Sequence, residues 1–63
     1  MNYNLKLKYK NERGWWNMTI IADNIDEAIK DVEEKLKNEE NLEKAKLQEL
    51  KFKYKTLKEW NKE

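Results

Sequence analysis

Between residues 3 and 10 the chain alternates without a slip: Tyr3, Leu5, Leu7 and Tyr9 are apolar, while Asn4, Lys6, Lys8 and Lys10 are polar. A period of two is what a strand shows when one face is buried and the other meets water. The segment "KNERG" follows, with Asn11 and the chain's only glycine, Gly14, which suits a hairpin turn needing a positive φ. A second strand is predicted over about 15–22. It puts Trp16, Met18, Ile20 and Ala22 on the core side and Trp15, Asn17, Thr19 and Ile21 on the other.

The period then changes. Ile25, Ala28, Ile29, Val32 and Leu36 recur at spacings of three and four, so the spacing predicts a helix over about 25–38 with one apolar stripe. Asn24 is placed to cap it and Glu27 to complete a capping box, and Asp23, Asp26 and Glu27 suit the positive end of the helix dipole. Asp31, Glu33 and Glu34 give the helix an acidic outer face. Glu39, Glu40 and Glu43 do not continue the stripe, so "NEENLEKA" reads as a polar connector.

In the last third, Leu50, Phe52 and Tyr54 alternate with Lys51, Lys53 and Lys55, which predicts a third strand over about 47–57. Leu47, Leu50, Tyr54 and Leu57 also fall at helical spacing, so a helix competes. Phe52 favours the strand, because a helix would throw its ring off the seam. A bulge near Gln48 and Glu49 would keep Leu47 inward, and the tail would be a short turn anchored by Trp60. The elements assemble as a single α+β domain of β-β-α-β type, a three-stranded antiparallel sheet in order 2-1-3 with the helix on one face. The expected core is Leu5, Leu7, Trp16, Met18, Ile20, Leu50 and Phe52 under the helix stripe, with Tyr3, Tyr9 and Tyr54 at its margin.

Composition sharpens this in three ways. At 63 residues the chain lies near the lower size at which one unstapled core supports a fold, so exposed aromatic area calls for an explanation. Charge is laid out in blocks: residues 1–22 carry four basic and one acidic side chain, 23–43 three basic and nine acidic, and 44–63 seven basic and three acidic. Histidine, cysteine, serine and proline do not occur. A histidine-activated serine or cysteine nucleophile is therefore excluded, as are the usual zinc ligand sets, and the expectation is a protein that is not an enzyme, with no cofactor and no metal. The clustered acids at Asp23, Asp26 and Glu27 are accounted for by capping. No apolar run approaches the length of a membrane span and no basic-then-apolar leader is seen, so a cytoplasmic location is expected.

The candidate binding surface is the sheet face away from the helix, carrying Lys6, Lys8 and Lys10 beside Lys51, Lys53 and Lys55, flanked by Arg13, Trp15 and Asn17. Those lysines either keep an open sheet soluble and block edge pairing or meet an anionic partner. Occupation of a partner protein or nucleoprotein surface is the leading reading. Direct nucleic-acid binding is the alternative, with lysines on phosphates and Trp15 on a base. A homodimer burying Trp15 and Ile21 is a further version.

In layout the whole chain, with its lysine- and asparagine-rich hairpin, its "ADNIDEAI" helix start and its returning strand, resembles small phage or mobile-element accessory proteins, including anti-CRISPR inhibitors of host defence. The resemblance implies stoichiometric binding to a host protein or nucleoprotein in the host-cell cytoplasm, with the acidic helix face imitating nucleic-acid charge.

Overall fold

A computed structural model describes residues 1–50 and 55–62. Strand β1 spans Asn2–Tyr9 and β2 spans Trp16–Ile21; helix α1 spans Ile25–Leu36; β3 spans Leu42–Glu49 and β4 spans Thr56–Asn61. The protein is α+β, and its described residues form one helix and an antiparallel sheet, but the sheet has four strands in order β2-β1-β3-β4. The order expected for three strands survives as its first three positions, and a fourth strand is added outside β3. The expected third strand over 47–57 overlaps parts of both β3 and β4. Of the residues that argued for it, Phe52, Tyr54, Lys51 and Lys53 lie outside the described residues, and Leu50 follows the end of β3.

Bulges explain the difference. Lys8 faces Lys44 while Tyr9 faces Leu42, so Glu43 is an extra residue in β3. Leu47 faces Lys58 while Gln48 faces Thr56, so Leu57 is an extra residue in β4. The insertion of Glu43 turns a spacing of two into one of three, from Leu42 to Ala45, and the insertion of Leu57 puts Thr56 and Lys58, two residues apart, on opposite faces. Strand periodicity is thereby erased where it was sought. The segment "NEENLEKA" is accordingly not all connector, since β3 starts at Leu42, and the tail is the strand β4 rather than a turn.

The hairpin and helix start follow from local chemistry. Gly14 takes φ +78°, a conformation costly for any side chain with a Cβ. Asn24 caps α1 from an extended backbone, its Oδ1 accepting from the Glu27 N–H at 2.9 Å, while the Glu27 carboxylate reaches back to the Asp23 N–H at 3.3 Å. At the other end Lys62 Nζ donates to the carbonyls of Leu36 at 2.7 Å and Glu39 at 3.0 Å. A cation there suits the negative end of the helix dipole and adds a second donor to the Leu36 carbonyl, which also accepts from the Glu39 N–H at 3.2 Å.

The buried core is Tyr3, Leu5 and Leu7 of β1, Ile20 of β2, Ala28, Val32 and Leu36 of α1, and Leu42, Ala45 and Leu47 of β3. Half-buried Tyr9, Ala22, Ile29, Leu57 and Trp60 pack around it. Trp16 and Met18, expected inside, are 56% and 39% exposed. The helix leaves the Ile20 end of β2 and delivers the chain to Leu42, beside Tyr9, so it crosses the sheet diagonally. With β4 added, the centre of the core moves to β1 and β3, and the Trp16 corner of the helix side is left uncovered.

Candidate functional site

Register determines what the open face presents. Reading across β2, β1, β3 and β4, one row is Thr19, Asn4, Gln48 and Thr56, and the next is Asn17, Lys6, Lys46 and Glu59. The third places Lys8 opposite Lys44, with Asn61 beyond. The lysines beside Lys6 and Lys8 are therefore Lys46 and Lys44, not Lys51, Lys53 and Lys55. Lys51 and Lys53 lie outside the described residues, and Lys55 is exposed just before β4. Lys10 follows β1 and Arg13 sits in the hairpin connection, both exposed at the end of this face.

Trp15 is half-buried rather than open. Lys46 Nζ lies 5.1 Å and Lys6 Nζ 5.7 Å from the centre of its ring, within cation–π range. The indole thus spreads over one of the two like-charged pairs and offsets part of their repulsion. Glu59 offsets more, at 3.6 Å from Lys46. Asn17 is exposed, and its Oδ1 accepts from Asn4 Nδ2 at 3.1 Å, while the same Nδ2 lies 3.3 Å from Gln48 Oε1. Among the described residues, Lys8 and Lys44 have no ion-pair partner. They face each other on the two central strands, where like charges oppose sheet formation.

The acidic helix face divides. Glu33 Oε2 accepts from Trp60 Nε1 at 3.2 Å and from Lys58 Nζ at 3.4 Å, and these bonds hold its carboxyl below the ordinary carboxylate range. Glu34 pairs with Lys37 at 3.6 Å, and Asp31 is exposed. Glu33 is thus a strut between α1 and β4 rather than a free surface acid. At the far end of the helix, burial and then the nearby Glu39 and Glu12 carboxylates push the Tyr9 phenol up.

A second surface was read only in part from the sequence, which placed Ile21 on the open side but took Trp16 and Met18 for core. Trp16 and Met18 on the helix side and Ile21 on the open side, 74% exposed, all belong to β2, whose outer edge pairs with no strand among the described residues. Trp16 Nε1 donates to Glu12 Oε1 at 3.0 Å, which holds its ring at the surface. The signal was present: Trp15–Ala22 holds no charged residue in a chain that is 43% charged. Among the described residues, no helix is long and apolar enough to cross a membrane. Comparison of the chain with protein-family models, curated proteins and solved structures finds no match.

Proposed function

We propose that the protein is a non-catalytic binding module that occupies an anionic surface of a partner protein or nucleoprotein through its open sheet face. The observation that carries this reading is the pairing of Lys8 with Lys44 beside Lys6 and Lys46. Lysine protects sheet edges, but these four side chains are on β1 and β3, the two central strands, where no edge needs protecting. Trp15 and Glu59 offset part of this repulsion at Lys6 and Lys46, but the repulsion between Lys8 and Lys44 costs stability, and an anionic partner would relieve it. By the resemblance in layout, the setting would be a host-cell cytoplasm and the effect inhibition of a defence system by stoichiometric occupation.

Direct nucleic-acid binding is the second reading. The row of Thr19, Asn4 and Gln48 supplies hydrogen-bonding groups beside the lysines, as base edges beside phosphates require. Trp15 counts against it, because its ring already carries two lysines and would have to exchange them for a base.

One capture experiment separates the readings. The immobilised chain should retain a partner from a host lysate after nuclease treatment, and the Lys8→Glu/Lys44→Glu variant should lose it. Loss on nuclease treatment, together with oligonucleotide binding that weakens steeply with salt, would favour the second reading. Capture indifferent to both lysines would remove the open face from the account.

A further inference from the structure

The two outer strands are built differently, and one of them lacks every device that stops strands from pairing. β4 carries Lys58 and Glu59 and is bent by the Leu57 bulge. β2 reads "WNMTII", without a charge, a proline or a break in its six-pair register with β1. A regular, uncharged edge with exposed apolar side chains is a template for another strand.

We propose that the occupant is a second copy of this chain, with β2 pairing antiparallel to β2 about a two-fold axis normal to the sheet and centred on Met18. The charge pattern selects both the occupant and the register. Arg13 stands five residues before Met18 and Asp23 five residues after it, and every residue from Gly14 to Ala22 is uncharged. Antiparallel self-pairing centred on Met18 aligns Arg13 of each copy with Asp23 of the other, at both ends of the interface. It also sets Trp16 beside the second copy's Ile20 and Met18 beside its own equivalent, covering the corner that α1 leaves open. Centring on Thr19 would align Asp23 with Trp15 and Arg13 with Ile25, and so would pair no charges. A shift of one residue would set core-side against open-side residues. An uncharged strand flanked at equal distances by opposite charges is complementary to itself.

The dimer is one continuous eight-stranded sheet with both helices on one side, since each copy brings four strands. Both lysine faces then lie side by side on the other. The inference stands independently of what the lysine face binds.

Sedimentation of the full chain over a concentration series tests it. The weight-average mass should rise toward twice 7.8 kDa. Met18→Lys should hold it at one chain with the far-ultraviolet circular dichroism unchanged. Arg13→Asp should weaken association at least several-fold, and Arg13→Asp combined with Asp23→Arg should restore it, which a general loss of stability would not do. A single-chain mass at every concentration up to about 1 mM would overturn the proposal. So would a dimer indifferent to Met18→Lys, or one that the double charge exchange fails to restore.

Discussion

The edges of this sheet show two ways of ending a β-structure. β4 is closed inward: Trp60 packs half-buried against the core, Glu33 accepts from both Trp60 and Lys58, and Lys62, just after β4, reaches the last carbonyl of α1. Among the described residues β2 is joined to the rest mainly through β1 and its Ile20 end, and its Trp16, Met18 and Ile21 side chains are exposed. Large aromatic residues occur on both. What differs is whether the chain supplies the surface that covers them, and the difference separates an edge that the fold closes itself from one that it leaves open.

Truncating the two tryptophans gives the largest expected contrast. Trp60→Ala should lower unfolding free energy in urea by about 2 kcal/mol, because it removes a half-buried ring and its Nε1 hydrogen bond to Glu33 of α1. Trp16→Ala, measured where the protein is monomeric, should change it by less than about 0.5 kcal/mol. Equal losses would mean that the edges are alike. Next in size is Lys62→Met, which keeps the aliphatic stem and removes the charge from the helix C-terminus; about 0.5–1 kcal/mol should be lost in the same assay.

A smaller effect of opposite sign is expected at the sheet centre. Lys44→Glu puts opposite charges across from Lys8 and should raise stability by a few tenths of a kcal/mol, about 0.5 at most, while weakening capture of an anionic partner. Gain of stability with loss of binding is the signature of a surface kept for contact.

The smallest effect is a pH dependence on the β4 side. Glu33 has its pKa lowered by the Trp60 and Lys58 hydrogen bonds, so its contribution is fully present above the ordinary value near 4.5 and fades as pH falls through the lower folded value. Comparison of thermal midpoints for the wild type and Glu33→Gln should show the gap narrowing across that acid window. A gap independent of pH would remove the carboxylate from the strut.

The first half of the fold is legible because its patterns are unbroken. The strict alternation from Tyr3 to Tyr9 gives β1, the apolar stripe gives α1, and Asn24 with Glu27 marks the helix start to the residue. The second half is obscured by Glu43 and Leu57, each an added residue that breaks a period of two. An unbroken alternation from Leu50 to Tyr54 then drew the prediction away from the flanking strands. At the open face, Lys6, Lys8, Trp15 and Asn17 were readable from the hairpin alone. Their partners Lys44 and Lys46 were not, because pairing them depends on a register that only β3 establishes. The exposed apolar edge was legible in the absence of charge from Trp15 to Ala22, which an expectation of a buried Trp16 concealed.

Amide hydrogen exchange followed by NMR at increasing protein concentration tests the asymmetry of the edges most directly. Protection should rise with concentration at amides within Trp16–Ile21 and stay constant within Thr56–Asn61. Exchange that is concentration-independent in both strands, or protection gained in β4 instead, would contradict it.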